Sequence, residues 1–108
     1  MAENIADFFE KFPTRMTPER LGTWRATILM EITGEGGGQW TVGVGDGKMS
    51  VKPETAPGTD TTIVVAASDF AEIIAGKMNP QMAFMTGKLK VKGAMPNALK
   101  LSGLLTAK

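Results

Sequence analysis

Residues 24–52 read WRATILMEITGEGGGQWTVGVGDGKMSVK, and apolar side chains recur at every second position along most of this stretch. A period of two is typical of strands that bury one face. The pattern is interrupted twice, by the glycine-rich stretch 34–38 and by Asp46-Gly47. The first interruption predicts a hairpin loop, and the second predicts a two-residue turn of the primed type. The stretch therefore predicts three consecutive antiparallel strands.

The residues before this stretch have the spacing of helices. Apolar side chains at positions i, i+3, i+4 and i+7 indicate one helical stripe over residues 4–12. Pro13 is expected to end that helix. Thr17 followed by Pro18 predicts the start of a short second helix, which stops before Gly22.

The residues after this stretch predict further strands and helices. A β-branched run at residues 61–65 predicts a fourth strand. Ser68 is expected to cap the helix that follows, and Gly76 is expected to close it. The remaining predicted elements are a short helix at residues 81–86, a fifth strand at 88–92 and a final helix at 94–105. Together these elements predict an α+β fold, a five-stranded, mainly antiparallel sheet covered on one face by helices, as a single domain over residues 1–108.

The composition excludes several kinds of chemistry. The 108 residues include no histidine, cysteine or tyrosine. Zinc sites built from cysteine and histidine, disulfides, thiol nucleophiles and imidazole bases are therefore excluded. The serines lack a nucleophile-elbow pattern and the acids lack calcium-loop spacing, so we expect no catalytic residue, no metal and no cofactor. A hydrolase or transferase that uses two converging carboxylates is the catalytic alternative.

The N-terminal residues also bear on location. The stretch MAENIADFFEKF carries acids where a secretory signal needs basic residues. No apolar run reaches the roughly 18 residues of a membrane span. We therefore expect a soluble, cytoplasmic protein.

Charge is distributed unevenly along the chain. Residues 1–76 hold all 11 acids and 6 of the 12 basic residues, whereas residues 77–108 hold six lysines and no acid. Lys88, Lys90 and Lys92 alternate along the predicted fifth strand, so their ammonium groups share one face. This row can protect an edge strand from aggregation, contact phosphate, or attract anionic lipid headgroups. Nucleic acid is not expected as a partner, because no aromatic residue interleaves with the lysines.

The final helix has a wider apolar face than one packing contact requires. Its alanine, leucine and methionine side chains span about 220° of the circumference, whereas a core-facing stripe needs little more than about 100°. Four methionines, whose flexible side chains fill irregular space, lie close together in the same region: Met78, Met82, Met85 and Met95. Either the helix is wedged between two elements, or one flank lines a ligand cavity or meets a membrane or another chain.

A longer motif covers this C-terminal region. Ser68-Asp69-Phe70 is followed at residues 76–93 by GKMNPQMAFMTGKLKVKG. This resembles the sterol carrier protein 2 family, whose pattern is an S-D-F helix start, then G-K-x-N-P-Q-x-A-F-x-x-G-K-L-K-[IV]-x-G, then a terminal helix. The resemblance implies a five-stranded sheet covered on one side by helices, with an apolar tunnel between them. It also implies non-catalytic binding of fatty acid, fatty acyl-CoA, phospholipid or sterol.

These observations lead to a hypothesis of lipid binding and intracellular lipid transfer by a protein that is not an enzyme and is a monomer or weak dimer. The residues expected to line or gate the tunnel are Phe70, Ile74, Met78, Met82, Phe84, Met85, Met95, Leu99 and Leu104. Lys88, Lys90 and Lys92 are expected to contact anionic membranes or lipid headgroups transiently. The alternative is a protein-interaction or dimerisation module with the same fold and no lipid cargo.

Overall fold

The computed structural model describes residues 5–105, which form five helices and five strands. The helices are α1 (Ile5–Arg15), α2 (Pro18–Leu21), α3 (Ala67–Ile74), α4 (Pro80–Met85) and α5 (Met95–Leu104). The strands are β1 (Ala26–Thr33), β2 (Gly38–Gly45), β3 (Lys48–Lys52), β4 (Thr61–Ala66) and β5 (Leu89–Gly93).

The strands form one sheet in the order β3-β2-β1-β4-β5. The β1–β2, β2–β3 and β4–β5 pairs are antiparallel, and β1–β4 is parallel. Ile28 in the central strand β1 faces Val42 on one side and Thr61 on the other. The prediction of an α+β fold with a mainly antiparallel five-stranded sheet is confirmed, with one parallel pair at its centre.

The turn between β2 and β3 has the predicted conformation. Asp46 has φ 55° and Gly47 has φ 73°. Positive φ at both central residues is the mark of a type I′ turn, whose twist matches that of the flanking strands. The turn sets the register in which Gly45 faces Lys48.

The core lies on one face of the sheet. Alternate residues of β1 and β4, including Ile28, Met30 and Ile63, are fully buried. Helices cover this face, and burying each large apolar side chain there stabilises the fold by about 1.5–3 kcal/mol. An aromatic cluster, defined as Phe8, Phe9, Phe12, Trp40 and Phe70, joins α1 and α3 to β2.

The predicted end of the first helix is wrong. The sequence placed the helix at residues 4–12, whereas α1 continues through Pro13 to Arg15. Proline removes one backbone hydrogen bond from a helix. The last turn persists because Phe12 is buried and stacks on Phe8, with ring centroids 5.1 Å apart.

The predicted cap of the third helix is also wrong. Ser68 is an exposed residue within the first turn of α3, and Ala66 occupies the N-cap position with no side-chain hydrogen bond. Ala66 still pairs with Thr33 in the sheet, so the chain passes from β4 into α3 without a loop. The other predicted elements are confirmed, with boundaries that differ by no more than two residues.

Candidate functional site

Local sequence determines where α4 begins and ends. The Asn79 side chain accepts a hydrogen bond from the Gln81 backbone N–H at 2.8 Å, and Pro80 occupies the first helical position. This is the usual N-terminal capping arrangement. Gly87, with φ 81°, follows the C-terminal end. The short helix is thereby placed against β5 and α5.

A hydrogen-bond network anchors the first turn of α5. The Trp24 indole N–H donates to Asn97 Oδ1 at 2.9 Å, and Asn97 Nδ2 donates to Asp60 Oδ1 at 3.1 Å. The Asp60 carboxylate also accepts from the Thr27 backbone N–H at 2.9 Å and the Thr61 hydroxyl at 2.6 Å. Partial burial raises the pKa of Asp60, but these hydrogen bonds outweigh burial, so the pKa lies below its ordinary value.

A cavity of about 360 Å³ lies between α4 and α5. We call it the α4–α5 cavity; its lining residues are Asn79, Pro80, Gln81, Leu99, Ser102 and Gly103. The Ser102 hydroxyl donates to the Ala98 carbonyl of its own helix at 2.8 Å. The α4 wall offers amide groups, and Leu99 gives the α5 wall an apolar side chain.

Large apolar side chains are exposed on these same two helices. Within residues 5–105, the exposed fractions are 56% for Met82, 72% for Met85, 37% for Met95 and 45% for Leu99. The opposite side of α5 is buried through Ala98 and Leu101, and Leu105, which follows the helix as its C-cap, is also buried. The excess apolar surface that the sequence predicts for the last helix is therefore present.

The other predicted lining residues lie deeper. Ile74, Met78, Phe84 and Leu104 are partly buried and pack against the core. Phe70 is fully buried in the aromatic cluster, where its ring stacks on Phe9 at 5.3 Å. Of the nine predicted side chains, Leu99 is the one that lines the α4–α5 cavity.

The three lysines lie at the β5 edge of the sheet. Lys88, Lys90 and Lys92 are all exposed. Lys90 and Lys92 face Val64 and Thr62 of β4, which alternate with the buried residues of that strand. Their side chains therefore lie on the face away from the helices, and they line neither of the two cavities described here.

A second concavity, of about 310 Å³, was not anticipated from the sequence. We call it the α1–β3 cavity; its lining residues are Ala6, Phe9, Glu10, Trp40, Val51 and Pro53. Its apolar members belong to separate periodic patterns in α1, β2 and β3. The sequence contains no signal that these patterns meet.

Two features of the described residues concern metal ligands and membrane-spanning helices. Within residues 5–105, no three histidine, cysteine, aspartate or glutamate side chains are grouped to hold a metal ion. In that same range, no helix has the length and apolar character needed to span a bilayer.

The family model described as "SCP-2 sterol transfer family" matches residues 6–106, which is nearly the whole chain. The chain belongs to the SCP-2 sterol transfer family. This is the family that the motif at residues 68–93 resembles. SCP-2 domains bind and transfer lipids and are generally non-catalytic.

Individual relatives agree with this membership. Human sterol carrier protein 2 is 51% identical over 65 residues, which cover 60% of this chain and 12% of that protein. This SCP-2 chain thus spans only a small part of the length of that relative. The solution structure of sterol carrier protein domain 2 from Helicoverpa armigera has a TM-score of 0.77 and 26% identity, covering 96% of this chain and 87% of that one. Palmitated SCP2L2 from Aedes aegypti has a TM-score of 0.76 and 20% identity, covering 95% of each chain.

Proposed function

We propose that this SCP-2 domain binds single lipid molecules without catalysis and carries them between membranes inside the cell. The acyl chain is held in an apolar tunnel between the sheet and the C-terminal helices, which opens at the α4–α5 cavity. The observation that carries this proposal is the set of large apolar side chains exposed among residues 5–105, all of them on α4 and α5: Met82, Met85, Met95 and Leu99.

Burial of an acyl chain supplies enough free energy for the proposed binding. Each buried CH₂ group contributes about 0.8 kcal/mol, so a long chain contributes on the order of 10 kcal/mol before association costs are subtracted. A net binding free energy near −8 kcal/mol corresponds to a micromolar dissociation constant, at about 25 °C. The cargo classes that fit this driving force are fatty acid, fatty acyl-CoA, phospholipid and sterol.

The empty tunnel has to stay small for the fold to survive. An unfilled void costs about 24 cal/mol per Å³, so a dry void of about 300 Å³ costs roughly 7 kcal/mol, comparable to the whole stability of a small domain. We therefore propose that the helices α4 and α5 partly collapse onto the empty tunnel, and that the methionines Met78, Met82, Met85 and Met95 rearrange around the guest on loading. Methionine suits this role because its thioether side chain is flexible and adapts to irregular space.

The lysines at the β5 edge give the carrier a preference among membranes. Lys88, Lys90 and Lys92 are exposed, and α4, with Met82 and Met85, packs against the same strand. Basic residues near an anionic surface contribute about 1 kcal/mol each. We propose that this edge approaches anionic membranes end-on, with the lysines on one side of the sheet and the exposed methionines of α4 on the other, and that the methionines contact the acyl region.

Three experiments test the proposal. Solvent extraction of freshly purified protein, followed by mass spectrometry, should recover a lipid, and that lipid should raise the melting temperature of the emptied protein. Fluorescent fatty acid should move between vesicles faster when the acceptor vesicles are anionic. The double variant Met82→Gln/Met85→Gln should bind fatty acid about tenfold more weakly, a loss of 1.4 kcal/mol. Both side chains are exposed, so the fold should be unaffected.

A matched control is available on the opposite face of the sheet. Leu29→Gln makes the same kind of apolar-to-amide change on the partly exposed face of β1 and should leave binding unchanged. Equal losses in both variants would contradict the assignment to α4 and α5. Two results together would instead favour a protein-interaction or dimerisation module. The purified protein would contain no lipid, with a melting temperature unchanged by fatty acid or acyl-CoA, and it would form a dimer whose interface covers α5.

A further inference from the structure

The α1–β3 cavity lies apart from α4 and α5 and has aromatic walls. The Phe9 and Trp40 rings stack with centroids 4.6 Å apart and an interplanar angle of 20°. Phe9 also stacks on Phe70, so the wall is part of the aromatic cluster. Val51 and Pro53 supply further apolar surface from the β3 side.

A glycine helps to fix the position of the Trp40 ring. A Cβ atom added at Gly38 would lie 3.0 Å from Trp40 Cη2 and 3.2 Å from Trp40 Cζ3. The ring edge therefore rests against the bare backbone of Gly38, while Phe9 covers one ring face. A wall held in this way is formed before any ligand arrives, which lowers the ordering cost of binding.

Glu10 is the one ionisable residue among those that line the cavity. It is exposed, so its carboxylate lies at the rim. Among residues 5–105, no basic group lies within ion-pair distance of this carboxylate. Lys52 and Glu54 flank Pro53 in the sequence, but neither lines the cavity. The rim therefore attracts cations and repels carboxylates and phosphates.

The volume of the α1–β3 cavity limits the size of the ligand that it can hold. An apolar cavity of about 150 Å³ holds one benzene molecule. A volume of about 310 Å³ therefore accommodates a ring with a short tether, or a short alkyl chain. A lipid with two acyl chains does not fit.

We propose that the α1–β3 cavity is a second binding site, which takes a small cationic amphiphile: a primary amine carried on an aromatic ring or short alkyl chain. The apolar part lies against Phe9, Trp40 and Val51, and the ammonium group pairs with the Glu10 carboxylate at the rim. This site does not depend on lipid binding at α4 and α5, and its ligand carries the opposite charge to a fatty acid.

Three ligands with one apolar skeleton and different charges test this proposal: phenylbutylamine, phenylbutanol and phenylbutanoate. Calorimetric titration measures their affinities, and the Trp40 indole N–H resonance reports on the cavity. The amine should bind on the order of tenfold more tightly than the carboxylate, because the Coulomb term changes sign. Its addition should shift the Trp40 resonance rather than the amide resonances of α4 and α5.

Two variants separate charge from shape. Glu10→Gln should weaken amine binding by up to about fivefold and leave the alcohol unaffected, whereas Glu72→Gln, at an exposed acid on α3, should change neither. Ala6→Leu should weaken the binding of all three ligands, because the larger side chain fills part of the cavity. Equal affinities of wild type for amine and carboxylate, or equal effects of the two glutamate variants, would overturn the proposal. Resonance shifts confined to α4 and α5 would also overturn it.

Discussion

The hydrogen bonds of Asn97 hold the first turn of α5 against the rest of the fold. In Asn97→Ala the Trp24 indole N–H loses its acceptor and Asp60 loses one donor. Loss of the partly buried hydrogen bond from the Trp24 indole, which leaves that donor unpaired, lowers the free energy of unfolding by about 1–2 kcal/mol. Loss of the exposed hydrogen bond to Asp60 lowers it by roughly 0.5 kcal/mol. Alanine exceeds asparagine in helix propensity by about 0.5 kcal/mol. We therefore expect the free energy of unfolding to fall by about 1.5 kcal/mol.

Urea denaturation measures this loss, and hydrogen exchange locates it. The amides of α5 should exchange about tenfold faster, equivalent to 1.4 kcal/mol, whereas those near Phe8 in α1 should change little. Lys100→Ala is the control on the same helix, since it removes an exposed cation 5.4 Å from the Trp24 ring and should cost about 0.5 kcal/mol. Equal losses in the two variants, or unchanged exchange in α5, would refute the anchoring role of Asn97.

Two further predictions concern Asp60 and a neighbouring glycine. Because the folded-state pKa of Asp60 is lowered, its carboxylate stabilises the fold above the unfolded value of about 3.9, and this contribution disappears as the pH falls through the folded value. The free energy of unfolding of wild type should therefore fall more steeply below about pH 4 than that of Asp60→Asn, in denaturation curves measured across that range. Gly93 has φ 97°, and Gly93→Ala would place a Cβ atom 2.3 Å from the Asp60 carbonyl oxygen. The free energy of unfolding, measured by thermal denaturation, should therefore fall by more than about 3 kcal/mol. Gly58 also has a positive φ, but a Cβ atom added there would meet nothing within 4 Å, so Gly58→Ala should lower the free energy of unfolding by only about 1–2 kcal/mol. Equal losses in the two variants would exclude the close contact at Gly93 as the cause.

The strands were predictable because their signals are local. Alternation at residues 24–52 and the Asp46-Gly47 turn depend on near neighbours, and the structure contains both features. The two errors occurred where burial or strand pairing overrides a local rule. Burial of Phe12 carries α1 through Pro13, and the pairing of Ala66 with Thr33 removes the loop in which Ser68 would have capped a helix.

The site was predictable in part. The surplus apolar surface of the last helix follows from the width of its apolar face, because that width can be counted along the sequence. Which side chains lie at a cavity depends on how α4 and α5 pack, and no periodicity specifies that packing. The α1–β3 cavity brings Phe9 together with Val51, from opposite ends of the N-terminal half. That juxtaposition depends on the docking of α1, which the sequence pattern does not specify.

The parallel pairing of β1 with β4 has a consequence for the order in which the molecule assembles. The β1–β2–β3 meander closes only short loops, so it can form early, whereas β4 must return across the sheet to reach β1. The α4 and α5 helices contact this side of the sheet, α4 at β5 and α5 at β4 and β5. Because β5 pairs with β4 alone, this edge of the sheet is expected to open locally at a lower free energy than global unfolding.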